Sequence, residues 1–322
     1  MKAFIPFLFI IFFMFISPVK AENTPYSYEI MANDLLELEK QFPDHIEIGS
    51  IGKSEYNRDL LYAKVGKGNE NILLIGSHHA REWITSQFLI KLLQSYVQSL
   101  STMKDRDDSF DVLNRTSIYV VPMLNPDGVE IQQFGLNRFK IKEKMELLTM
   151  NHFSFDFKRW KANGLGVDLN RQYPAGWEEL NKIPAWPSYK QFRGRSPAQA
   201  KEVQNIMRFT KELNPLLSIS YHTSGQEIYW FYNNEPIHIA RDYALAEKIS
   251  KITGYELAFP QKNAVGGGFT DWFITEFQRP GFTLELCEDV IETNPPTSCL
   301  KREAKANLKV PIMLLNEVMK KE

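Results

Sequence analysis

The chain has 322 residues, 43% of them hydrophobic, enough to bury a sizeable core. Lys and Arg number 38 against 39 Asp and Glu. No broad basic field exists to hold a polyanion, which argues against nucleic acid as a partner.

Lys2 precedes an uncharged apolar run, Ala3 to Ile16, and then Ser17-Pro18-Val19-Lys20-Ala21. The run is too short to span a bilayer comfortably, so residues 1–21 are expected to be a cleaved secretory signal that leaves no membrane anchor. Removing Lys2 and Lys20 would shift the formal charge from −1 to −3. Residues 22–322 show no internal repeat or low-complexity linker and read as one domain. A helix is expected from Tyr28 to about Gln41, with Met31, Leu35, Leu38 and Phe42 on one face. Strands follow at His45 to Ile51, Leu60 to Val65 and Ile72 to Gly76. Gly52-Lys53-Ser54 does not complete a phosphate loop, since Glu47 stands where the first Gly is needed.

After His79-Ala80-Arg81-Glu82 a helix is expected from about Trp83 to Leu100, then a strand from Ser117 to Met123 and a turn at Asn125-Pro126-Asp127-Gly128. The long connection from Val129 to Arg159 holds a short helix near Lys140 to Asn151 and is either a rim over a cleft or an inert insertion. Ser196-Pro197-Ala198-Gln199 has the form of a helix cap and predicts a helix to about Leu213. Leu217 to Tyr221 and Phe282 to Leu286 are buried strands, and a terminal helix runs from Arg302 to Met319 with a kink at Pro311. Strands alternating with long helices predict an α/β fold, a three-layer α/β/α sandwich on a mostly parallel mixed sheet. In such sheets function gathers at strand ends, and His79, Asn125 and His222 all follow expected strands.

His79 and Glu82 supply an imidazole and a carboxylate, and His222 completes a set of two His and one Glu. Those residue types suit a zinc ion with one open position. Zinc lowers the pKa of water to about 7 and polarises a carbonyl. Such a site still needs a proton acceptor. Glu285 lies among apolar neighbours in Phe282-Thr283-Leu284-Glu285-Leu286, where a lone carboxylate costs several kcal/mol unless it has a partner. It is either a general base at the metal or half of a structural salt bridge. The two cysteines, Cys287 and Cys299, are either bridged or two thiols; a bridge would contribute about 3 kcal/mol.

Five segments together resemble the pancreatic-carboxypeptidase-like zinc metallopeptidases. They are His79-Ala80-Arg81-Glu82-Trp83-Ile84-Thr85, Asn125-Pro126-Asp127-Gly128, Val167-Asp168-Leu169-Asn170-Arg171, Ser220-Tyr221-His222 and Thr283-Leu284-Glu285-Leu286. The resemblance implies that His79, Glu82 and His222 hold one Zn2+ per chain, with Glu285 as general base. It implies that Asn170 and Arg171 bind the free carboxylate of a peptide substrate, that Arg81 contacts its backbone, and that Asp168 orients His79. Thr270, beside Asp271, falls at the family's selectivity position.

Two departures stand out. The family's oxyanion Arg is replaced by Lys161, with Arg159 as the alternative donor. The family's mobile Tyr falls near Asn263, in a stretch without Tyr. Trp160-Lys161-Ala162-Asn163 and Ser224-Gly225-Gln226-Glu227 resemble the bacterial γ-D-glutamyl-diamino-acid (diaminopimelate) peptidase branch. The resemblance thus implies a secreted, monomeric enzyme of the cell-wall space that cuts peptidoglycan stem peptides. A general metallocarboxypeptidase and a non-catalytic zinc- or peptide-binding protein are the competing readings.

Overall fold

Each apolar run in the sequence becomes a strand or a helix face, and the strands meet in one sheet. The computed structural model describes residues 25–102, 108–181, 183–259 and 266–320; the expected signal, residues 1–21, and Asn263 lie outside them. Ser27 Oγ accepts the Ile30 amide at the start of α1 (Tyr28–Gln41), which buries Met31, Leu35 and Leu38. Next come β1 (Ile46–Lys53), β2 (Asp59–Gly66) and β3 (Glu70–Ile75); one 3-10 turn, Ala80–Glu82, then leads into α2 (Ile84–Ser101). β4 (Thr116–Val121) precedes α3 (Pro126–Phe134) and α4 (Ile141–Met150). The second half contains α5 (Lys201–Leu213), β5 (Ser218–Thr223), β6 (Glu227–Tyr229), α6 (Pro236–Thr253) and β7 (Glu256–Leu257). It closes with α7 (Phe269–Phe277), β8 (Gly281–Leu286), α8 (Leu300–Asn307) and α9 (Val310–Met319).

The sheet has eight strands in the order β1-β2-β4-β3-β5-β8-β6-β7. Its centre is parallel, β4 with β3, β3 with β5, and β5 with β8, while antiparallel pairs flank it. Alternate side chains of the central strands feed two separate cores, as a period of two requires. Ile72, Leu74, Ile219, Tyr221, Phe282 and Leu284 pack with Met31, Phe88, Ile249 and Leu315 on one side. Leu73, Ile75 and Val121 pack with Val203, Ile206 and Phe273 on the other. Helices therefore cover both faces, and the architecture is the expected α/β/α sandwich.

Three local expectations change. The Asn125–Gly128 segment is the start of α3: Asn125 Oδ1 accepts the Gly128 amide at 3.0 Å, and Pro126 takes the first helical position. The predicted cap at Ser196 is not used, and α5 begins at Lys201. Ala198 has φ +51°, and Gln172 Oε1 accepts the Gln199 and Ala200 amides at 2.7 and 3.0 Å. Gln172 thus holds the residues just before the helix, and Glu55 Oε1, not the local box, accepts its first amide, Lys201 N, at 3.0 Å. The terminal helix is two helices, α8 and α9, with Pro311 in the first turn of α9, where its missing N–H costs nothing.

Candidate metal centre and active site

β3, β5 and β8 are neighbours in the middle of the sheet, and their C-terminal ends lie side by side. β3 stops at Ile75, and the chain runs four residues further to His79, which is extended (φ −106°, ψ 137°) and enters the 3-10 turn that carries Glu82. Ser77 fixes this approach: its amide donates to Thr85 Oγ1 at 2.8 Å, and its hydroxyl lies 2.7 Å from Ser86 Oγ. β5 delivers His222, in register with Glu285 of β8. His79, Glu82 and His222 are all buried, and one ligand atom from each lies within 4.8 Å of the others.

The hydrogen-bond pattern identifies which atoms face one another. Asp168 accepts only: the Asn170 and Gln191 amides reach it at 3.2 and 3.1 Å, and His79 Nε2 lies 3.2 Å from its Oδ1. His79 Nε2 is then the protonated nitrogen, so Nδ1 presents a lone pair. That lone pair lies 2.8 Å from Glu82 Oε1 and 3.1 Å from His222 Nδ1; His222 Nδ1 itself lies 2.9 Å from Glu82 Oε2. Two imidazole nitrogens and two carboxylate oxygens thus point at one another with at most one proton among them. A cation resolves that arrangement, and two His with one Glu form a donor set that fits zinc.

Burial pushes the His222 ring down from its ordinary pKa. Burial also works against charge on Glu82, yet the His79 and His222 rings hold its carboxyl well below the usual range. Asp168 follows the same pattern, with His79, Lys161 and Arg171 outweighing burial. His78, the neighbour of His79, is differently placed. Its Nε2 lies 3.0 Å from Tyr173 Oη and its Nδ1 3.2 Å from Ser220 Oγ, so both nitrogens are occupied.

Glu285 lies on β8 beside His222, with Oε2 buried and, among the described residues, without a hydrogen-bond partner. Burial, and then the charge of Glu82, push its carboxyl well above the usual range, against the pull of Lys161 and Arg81. Among the described residues no basic nitrogen lies within 4 Å of it, so it is not half of a salt bridge.

Arg159 and Lys161 have different surroundings. The Arg159 guanidinium donates to the Asn151 carbonyl at 2.9 Å and lies 4.0 Å from the centre of the Tyr189 ring. Lys161 instead lends its charge to Asp168, His222 and Glu285. Its backbone is clamped from both sides: Lys161 N donates to Tyr189 O at 2.8 Å, and Lys161 O accepts the Ala80 amide at 3.1 Å. The long connection is a buttress for this segment. Leu147 of α4 packs with Ala80, Phe157, Trp160 and Tyr189 in a third small core.

Asn170 and Arg171 sit in a second 3-10 turn, Leu169–Arg171, capped by Asp168. Asn170 Oδ1 accepts the Phe269 amide at 2.9 Å and so ties the turn to the start of α7. Arg171 Nη1 donates to the Asn170 carbonyl at 2.9 Å; among the described residues no carboxylate oxygen lies within 4 Å of its guanidinium. Thr270 Oγ1 lies 2.7 Å from Thr283 Oγ1, two residues before Glu285 on β8. Arg81 Nη1 donates to the Arg159 carbonyl at 3.5 Å. Cys287 and Cys299 are joined by a disulfide just past β8. The sequence reading missed Gln172, Tyr229 and the pairing of Glu227 with Glu285, because strand register carries no local signal.

Comparison with known proteins agrees with this geometry. The zinc carboxypeptidase family profile matches residues 31–310. Over 266 residues the chain is 35% identical to γ-D-glutamyl-L-diamino acid endopeptidase 1 of Lysinibacillus sphaericus, covering 81% of this chain and 65% of that protein. It is 34% identical to the protein YqgT of Bacillus subtilis, covering 73% of this chain and 63% of that one. The chain thus spans just under two thirds of the length of these relatives. Bovine thrombin-activatable fibrinolysis inhibitor has the same fold, with a TM-score of 0.74 at 19% identity over 93% of this chain and 99% of that one. The chain belongs to the zinc carboxypeptidase family of metallopeptidases.

Proposed function

We propose that this chain is a secreted, monomeric peptidase that holds one zinc through His79, Glu82 and His222. It hydrolyses the amide beside a residue bearing a free carboxylate, most naturally the γ-D-glutamyl-diaminopimelate bond of peptidoglycan stem peptides. The observation that carries the reading is Glu285 Oε2, buried and unpartnered, beside a converging set of ligand atoms. Similarity to the γ-D-glutamyl-L-diamino acid endopeptidase of Lysinibacillus sphaericus favours the substrate class. Zinc bound there supplies Lewis acidity toward the amide carbonyl and makes water nucleophilic near neutral pH.

The chain's own residues do the rest. Glu285 accepts the proton of the attacking water and returns it to the departing nitrogen, work typically worth about 10^2 to 10^4 in rate. Lys161 places positive charge where the carbonyl oxygen becomes an oxyanion. Arg171 offers its unpaired guanidinium fork to the terminal carboxylate, with Asn170 beside it. Thr270 lines the pocket between them, Arg81 contacts the substrate backbone, and Asp168 holds the His79 ring in the tautomer that leaves Nδ1 bare.

The test pairs L-Ala-γ-D-Glu-meso-diaminopimelate with blocked dipeptides ending in ordinary residues, using zinc-loaded protein. Release of diaminopimelate with little dipeptide cleavage is the expected result. The reverse pattern makes the chain a general carboxypeptidase. Silence on both, with zinc bound, makes it a non-catalytic binder and removes the proposal.

A further inference from the structure

The wall beyond Glu285 carries two polar groups that the chemistry above does not use. β6 pairs antiparallel with β8, placing Ile228 opposite Leu284 and Tyr229 opposite Thr283. The same register sets Glu227 across from Glu285. Opposite residues of an antiparallel pair share a face, so Glu227, Tyr229, Thr283 and Glu285 stand together. Ile228 and Leu284 point the other way, into the larger core. Thr283 continues the wall to Thr270, and α7 ties it to Asn170 beside Arg171. One surface therefore runs from the proposed carboxylate-binding Arg171 to Glu227.

Packing does not explain the residues at its far end. Tyr229 is 46% exposed, and its hydroxyl donates to Glu227 Oε2 at 2.8 Å. That bond fixes the Glu227 carboxylate and leaves Oε1 free to accept. Among the described residues no Lys, Arg or His nitrogen lies within 4 Å of Glu227. Like charges facing one another across strands are unfavourable; Lys161 and Arg81 act on Glu285, and among the described residues no cation pairs with Glu227. A cation arriving with the substrate would do so.

We infer that Glu227, held by Tyr229, is a specificity-determining residue that receives the side-chain ammonium group of the substrate's terminal diamino acid. The inference rests on the proposed binding of that residue's carboxylate at Asn170 and Arg171. Lysine and diaminopimelate both carry such an ammonium group; an aliphatic residue of similar length does not.

The experiment compares L-Ala-γ-D-Glu-L-Lys with the same peptide ending in norleucine, on the full zinc-loaded chain. The ratio of kcat/KM, Lys over norleucine, is expected to be at least about tenfold, the effect of one charge-assisted hydrogen bond. Glu227→Gln should bring that ratio near one, and Tyr229→Phe should lower it by a smaller factor. The same ratio is read as Kd by calorimetry in a Glu285→Gln background, where binding is separated from turnover. A wild-type ratio near one, or a ratio that survives Glu227→Gln, overturns the inference and leaves the peptidase reading standing. Failure of the wild type to cleave or bind either peptide overturns both.

Discussion

Two buried charged clusters flank the start of α3, and they treat charge in opposite ways. At Asp127 every acceptor has a donor. Oδ1 receives Ser54 Oγ at 3.0 Å and Arg58 Nη1 at 2.7 Å, and Oδ2 receives the Tyr56 amide at 2.8 Å. At the other cluster acceptors face acceptors: His79, Glu82 and His222 converge without enough protons, and among the described residues His222 Nε2 and Glu285 Oε2 have no hydrogen-bond partner. The first arrangement is complete without any ligand. The second lacks that balance, which the proposed cation and substrate would supply, and that contrast separates a structural polar core from a candidate reactive one.

The sharpest way to break the comparison is Glu285→Gln. Turnover should fall by about 10^3 or more while zinc content by metal analysis stays at one per chain. Substantial remaining activity would remove Glu285 as the base. Asp127→Ala should do the converse. It leaves Arg58 only the longer ion pair with Glu130, at 3.9 Å, and should cost about 2–4 kcal/mol in urea denaturation, with zinc still bound. A loss of zinc comparable to that of His222→Ala would show that the two clusters are not independent.

Asp168→Asn sharpens the boundary between them, since Asp168 touches His79 without belonging to the ligand set. Zinc affinity measured by competition with a chelator should weaken about 10- to 100-fold. An unchanged affinity would mean that Asp168 does not orient the ring.

The smallest effect lies in the closed cluster, which has one tension of its own. Burial, with Asp127 adding to it, pushes the Glu202 carboxyl up to about 7. A carboxyl with a raised folded-state pKa favours the fold while protonated. Its contribution is fully present below about pH 4.5 and is lost as pH rises through 7. Urea midpoints at pH 5 and pH 8 should therefore differ more in wild type than in Glu202→Gln, by about 1–3 kcal/mol. An equal pH slope in the two proteins would sink this assignment.

Much of the molecule was legible in the chain. β3, β5 and β8 are continuous apolar runs because they are covered on both faces, and that pattern survives without context. His79 and Glu82 are close in sequence, so a single turn brings them together. His222 and Glu285 announce themselves as polar residues in apolar strands, where burial demands a partner. The start of α3 was also there to be read, in Asn125 and Pro126, although the Pro-Asp-Gly run looks equally like a turn.

Tertiary structure decided the rest, because the deciding contacts join residues far apart in the chain. Gln172 holds the Gln199 amide just before α5 from 27 residues away, and Glu55, not the box at Ser196, accepts the Lys201 amide. Arg159 and Lys161 are chemically similar on paper; the Tyr189 ring and the Asn151 carbonyl engage the first and leave the second to face Glu285. Glu227 reads as an ordinary surface acid until β6 pairs with β8. Composition and periodicity report burial, which each residue carries with it. Which donor meets which acceptor is a property of strand order and register, and only the folded sheet sets those.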